Sequence, residues 1–217
     1  MELSRTNPSE EYTWCLSNYT ELHQGGKLFD GRSLKKFIRL LNGLIKTNRC
    51  ATLLDYGSGQ GMLYGPHFAV LTGLIDKPLA DYWGVDVDLY EPGLPEHESL
   101  PDKLYDAVIC TDVLEHIPES DLGWVIDEIL ERSSKFAFLN IATFPALKTF
   151  KDGTNVHVSV FSPNIWLDLL AQKDSKTPIY VYFDVIDDNR VAHEGFKVEG
   201  KRTMRLGPLS QEQIQYG

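Results

Sequence analysis

Seven consecutive residues, Asp55-Tyr56-Gly57-Ser58-Gly59-Gln60-Gly61, place three glycines at alternate positions directly after a short apolar run. Glycine alone lets a ligand lie against the backbone itself, and amide N–H groups exposed where a strand turns into a helix favour a negatively charged ligand group. The expectation is a cradle for a nucleotide-like molecule. A dinucleotide fingerprint fits poorly, because Met62 stands where a third small residue is required. The acid about twenty residues on would be Asp76, which sits in a linker beside Pro78. A carboxylate at the end of the next strand can accept both hydroxyls of a ribose; Asp86, Asp88 and Glu91 compete for that role, and spacing slightly favours Asp86. For proton transfer the chain offers His116, beside Glu115, and His157, which alternation would place on one polar strand face with Asn155 and Ser159. His116 reads either as a packed residue at a helix start or as a base or substrate contact. His157 reads either as part of an exposed hairpin or as a substrate-binding group.

Elements able to position these residues are legible. Ser33 can cap a helix whose apolar positions Leu34, Phe37, Ile38, Leu41, Leu44 and Ile45 follow helical spacing. The runs 50–54, 85–91, 107–110 and 136–141 read as strands, and Leu122, Val125, Ile126, Ile129 and Leu130 mark a helix introduced by Pro118 and Ser120. Strands alternating with helices predict an α/β protein with a parallel sheet covered on both faces. The last third is richer in β signals. Asp152-Gly153 suggests a hairpin with Val156, Val158 and Val160 alternating behind it, Ser162-Pro163 opens a short helix, and 179–185 and 196–206 read as strands separated by a charged turn. The polar, aromatic residues 1–32, with Trp14, Tyr19 and His23 before Gly25-Gly26, read as a partly ordered lead-in and possible lid. Residues 33–217 read as a single domain with a cofactor half, 33–142, and a substrate-side half, 143–217.

Leu53 to Gly61 together with Asp112-Val113-Leu114-Glu115-His116-Ile117 resembles the first and fourth motifs of class I S-adenosylmethionine-dependent methyltransferases, in the small-domain branch where Asp-Val-Leu-Glu-His is common. The resemblance covers roughly residues 33–142 and implies a Rossmann-like methyltransferase fold, a mostly parallel twisted sheet flanked by helices, with an antiparallel β-rich C-terminal part. Tyr90-Glu91-Pro92-Gly93 resembles that branch's Tyr-Asp-Pro-Gly element, with Glu for Asp, and moves the choice of ribose acid to Glu91. The resemblance also implies S-adenosyl-L-methionine as cofactor and S-adenosyl-L-homocysteine as product, held by Asp55, Tyr56, Gly57, Ser58, Gly59, Gly61, Glu91, Thr111, Asp112 and Val113. Asp55 would organise the turn and reach the cofactor's amino group, or serve only as a buried cap; Asp112 would lie near the methionine moiety, and 97–101 would flank adenine. The segment 148–166 is similar to a signature of uncharacterised relatives in the same branch, to which no reaction is assigned. His157 and His116, as the histidines near the cofactor motifs, and Asn155 on the same face as His157 are the candidate catalytic residues.

Bulk properties narrow the substrate. A formal charge of −10 opposes a phosphate backbone, and no basic run or Asn/Asp-Pro-Pro-Tyr/Phe element marks nucleic acid. A small-molecule acceptor with oxygen or nitrogen is left; the alternative is a cofactor-binding module without methyl transfer. Cys15, Cys50 and Cys110 lack paired metal-type spacing, so buried thiols are expected and no metal ligands are assigned. No apolar run is long enough to span a bilayer, and the first residues lack the pattern of a signal peptide, which makes the cytoplasm the expected location.

Overall fold

A computed structural model describes residues 2–24, 31–65, 77–188 and 190–207. Seven strands, β1 (Thr52–Tyr56), β2 (Asp86–Tyr90), β3 (Tyr105–Thr111), β4 (Ser133–Ala142), β5 (Ile179–Asp187), β6 (Arg190–Glu199) and β7 (Arg202–Arg205), form one sheet in the order β2-β1-β3-β4-β5-β6-β7. Strands β2 to β5 pair in parallel, whereas β5-β6 and β6-β7 are antiparallel. The α-helices among the described residues are α1 (Glu10–Gln24), α2 (Ile38–Thr47), α3 (Leu79–Trp83), α4 (Glu119–Glu131) and α5 (Pro163–Ala171). None is long and apolar enough to cross a membrane.

Two-residue alternation sends neighbouring strand residues to opposite faces, and each face has its own core. Leu54, Val108, Cys110, Leu139, Val181 and Phe183 pack with α4 and α5 residues such as Val125, Ile129 and Trp166. Leu53, Ala107, Ile109, Phe136 and Phe138 pack on the other face with Phe37, Leu41, Ile45 and Trp83. The continuous apolar runs of β1, β3 and β4 follow from this two-sided burial. After β1 the chain lays β2 on one side of it and β3 on the other, so the order reverses between β1 and β3. A crevice therefore opens at their C-terminal ends, the usual ligand position in open α/β sheets.

Several local readings are corrected. The lead-in contains a 15-residue helix, α1, whose Tyr12 joins the core beneath α4. Gly25-Gly26, Asp76 and any helix within 66–76 lie outside the described residues; the glycine loop passes directly into a three-residue 3-10 turn, Met62–Tyr64. The helix expected from Ser33 begins as a 3-10 segment, Arg32–Phe37, and becomes α-helical at Ile38. Ser33 does not cap it, because its hydroxyl donates to Asp112 Oδ2 at 2.7 Å. Asp152-Gly153 does turn the chain, with a single bridge between Thr149 and Asn155, but 156–160 is not a strand. Its backbone donors go elsewhere, Val156 N to Lys148 O and Ser159 N to Glu115 O, so no ladder forms and Ser159 is buried. Finally, 196–206 is not one strand: Gly200, in the left-handed region at φ 56°, turns β6 back into β7.

Candidate functional site

At the crevice lies a cavity of about 400 Å³, walled by the ends of β1, β2 and β3, by α1, and by the loop after β4. Of the residues expected to hold a cofactor, Tyr56, Gly57, Gly59, Glu91, Thr111, Asp112 and Val113 line it. Asp55, Ser58 and Gly61 do not. Asp55 is buried under the loop, where its Oδ2 accepts from the Tyr64 hydroxyl at 2.8 Å; burial pushes its carboxyl up to about 7, against the opposing effect of that bond. Ser58 is buried within the turn, and a Cβ on Gly61 would strike Leu89 Cδ1 at 2.5 Å.

Sequence alone predicted free amides in the glycine loop, and the fold spends most of them. Gly57 N and Ser58 N both donate to Tyr90 O, at 2.7 and 3.1 Å, Gly59 N donates to Glu91 Oε2 at 3.2 Å, and Gly61 N donates to Ser58 O. The loop is thus folded around the C-terminal end of β2. Gly57 and Gly59 hold φ of 79° and 55°, in the left-handed region that side chains disfavour.

Glu91 closes the wall opposite. Its Oε1 accepts from Gly93 N at 3.0 Å, and His23 Nε2 from α1 stands 3.8 Å away. Burial raises the Glu91 carboxyl despite these two amides, and burial lowers the His23 imidazole. The competing acids are turned away: Asp88 takes Lys103 Nζ and the Tyr105 hydroxyl, and Asp86 is exposed. His97 is also absent from the cavity wall.

Asp112 has a left-handed backbone at φ 61°, rare for a residue with a side chain. Its N–H bonds Asn140 O at 3.0 Å, and its carboxylate takes the Ser33 hydroxyl, so both ends of the residue are held. Next to it, His116 is buried, with Nδ1 2.9 Å from Val156 O and 2.5 Å from the Tyr19 hydroxyl, which itself donates to Val156 O at 2.8 Å. Burial holds the His116 imidazole below its ordinary range, so it is neutral near pH 7. Glu115 is wholly buried and its Oε1 accepts from Ala142 N at 2.6 Å; burial, with Asp112 nearby, drives its carboxyl well up.

His157 reaches the same wall from the irregular segment after Asn155, its ring centroid 4.7 Å from that of His116, and its Nδ1 is 2.7 Å from Phe144 O. Asn155 does not line the cavity. Its Oδ1 accepts from Ala146 N and His157 N, and its Nδ2 donates to Ala146 O, which makes it a positioning residue for both loops. Asp112, His116 and His157 each bring one metal-competent donor atom within 4.8 Å of the others, a grouping with no trace in their sequence spacing.

Tyr12, Tyr19 and His23 bring α1 onto the cavity, Tyr19 and His23 being the lead-in residues expected there, and Lys148 is the first residue of the 148–166 segment, while Tyr12, Gly31 and Ser33 were not anticipated. No motif marks these three; only the packing of α1 and of the Arg32–Phe37 segment places them. Comparison of the chain with protein-family models, curated proteins and solved structures gives no match.

Proposed function

We propose that this chain is an S-adenosylmethionine-dependent methyltransferase with a Rossmann-like fold, acting on an oxygen or nitrogen of a small molecule. The observation that carries the reading is one wall. At the sheet's switch point the glycine loop, Glu91 and Asp112 converge on a single cavity, within the size range of small-molecule sites. Among the described residues, two carboxylates face that cavity, Lys148 is the only Lys or Arg in its lining, and most of the loop amides are already bonded. Such a surface repels a pyrophosphate and suits a cofactor carrying a sulfonium and an ammonium.

Within that reading, Glu91 accepts hydroxyls of the ribose, Gly57 and Gly59 allow the cofactor to lie on the backbone, and Asp112 faces the methionine end. Methyl transfer from a sulfonium is an in-line displacement: the acceptor's lone pair forms the new bond to carbon as the C–S pair returns to sulfur. Positioning supplies much of the acceleration, about 7–11 kcal/mol where alignment is good. The protein serves this by holding His116 and His157 beside Asp112 through bonds to Val156 O and Phe144 O. The covering helix α1, through Tyr19 and His23, excludes water.

Isothermal titration with S-adenosylmethionine tests the binding half of the reading: saturable binding by the folded chain, abolished in Gly59→Arg, is expected, and no binding refutes it. A labelled-methyl screen over small metabolites tests the transfer half; tight binding with no product from a broad panel would mark a binding module instead.

A further inference from the structure

We propose that Asp112, His116 and His157 form a binding site for a divalent first-row transition-metal ion in the wall of the cavity. One donor atom from each lies within 4.8 Å of the others. Two ligands at about 2.0–2.1 Å from one ion stand no more than about 4 Å apart, so a small rotation of the side chains brings them to a common centre.

Ring orientation makes the arrangement a prepared one. A backbone carbonyl can only accept, so the 2.7 Å contact of His157 Nδ1 with Phe144 O places the proton on Nδ1 and leaves the lone pair on Nε2. His116 Nδ1 faces Val156 O at 2.9 Å and the Tyr19 hydroxyl at 2.5 Å; that hydroxyl spends its own proton on Val156 O, so Nδ1 is again the donor and Nε2 the lone-pair atom. Holding one ring nitrogen by a carbonyl so that the other can ligate is the usual outer-shell arrangement of metal-bound histidines.

The carboxylate is prepared in the same way. Asp112 is kept in a left-handed conformation by the bonds to Asn140 and Ser33, and strain of this sort persists where the surroundings over-determine it. Two imidazoles and one carboxylate select zinc, iron, cobalt or manganese over calcium or magnesium, which prefer all-oxygen sets. All three ligands line the cavity, so the remaining coordination positions open into it. An acceptor oxygen or nitrogen can bind there; that consequence rests on the methyl-transfer reading, whereas the ion site does not.

The full chain, stripped with a chelator, is titrated calorimetrically with Zn²⁺ and by visible absorption with Co²⁺, without S-adenosylmethionine. One ion per chain with d–d bands of a nitrogen- and oxygen-bound Co²⁺ is expected. His157→Ala and the isosteric Asp112→Asn should each weaken binding at least about tenfold. His193→Ala, which removes a histidine paired instead with Asp184, should leave it unchanged. Absence of saturable 1:1 binding, or equal affinity in wild type, His157→Ala and Asp112→Asn, overturns the site. Cofactor titration of the same stripped chain is independent, so failure of one proposal is told apart from failure of the other.

Discussion

Replacing Gly57 by alanine tests how the two halves of the cavity depend on each other. A Cβ there would lie 2.3 Å from Val113 Cγ2, 3.1 Å from Cγ1 and 3.3 Å from Cβ, and the backbone is already at φ 79°. A side chain in the left-handed region costs about 1–2 kcal/mol, and forcing a methyl into a filled site adds about 1–3 kcal/mol, for about 2–5 kcal/mol in all. In a domain of this size that lowers the unfolding midpoint by roughly 5–15 °C. Because the clash is with one valine, Val113→Ala should relieve it and leave only the backbone cost. The double variant is then more stable than the sum of the singles predicts, by about 1–3 kcal/mol. Urea unfolding of wild type, both singles and the double measures that coupling. A Gly57→Ala cost below about 0.5 kcal/mol, or strict additivity with Val113→Ala, would refute the claim that the glycine loop and the 112–113 turn are packed against each other.

Other consequences are as direct. Asp55 carries its proton up to about pH 7 when folded, well above an unfolded aspartate, so its contribution is full at low pH and is lost as pH rises from about 4 to about 7. Asp55→Asn keeps an acceptor for Tyr64 and should abolish that loss, gaining on wild type by about 2–3 kcal/mol between pH 5 and pH 8; parallel pH profiles from urea unfolding would contradict the assignment. His157→Ala should bind S-adenosylmethionine as wild type does yet transfer methyl at least tenfold more slowly; unchanged turnover removes His157 from the reaction. Ser33→Ala frees the carboxylate of Asp112 from its hydroxyl partner and should cost about 1 kcal/mol of stability, read from thermal unfolding; no change would show that Asn140 alone holds the turn.

Much of the α/β body is legible in the chain because burial on both faces demands unbroken apolar runs. Leu53-Leu54 and Ala107 to Cys110 cannot satisfy an exposed strand, and the spacing from Leu122 to Leu130 suits one buried helical face. Boundaries shifted where a tertiary partner outbid a local one: Ser33 has the composition of a cap, but Asp112, 79 residues away, takes its hydroxyl. The valine alternation at 156–160 carried a strand signal with no neighbouring strand to pair with, and its amides bonded the turn at Glu115 and the loop at Lys148 instead.

The glycine loop is readable from residue type and order, because close backbone approach demands glycine; Glu91 and Asp112 are singled out only by resemblance to methyltransferase motifs, since spacing by itself favours Asp86. Spacing could not show that the amides of Gly57, Ser58 and Gly59 would be consumed by Tyr90 and Glu91. Nor could it bring His157 to His116, or set the Tyr19 hydroxyl from α1 against both His116 and Val156 O. Local composition decides which backbone shapes are accessible, and so indicated the buried parallel strands and the glycine turn. Which side chains meet across 40 or 100 residues depends on how whole elements pack, and only the tertiary structure decided that Asp112, His116 and His157 share one wall.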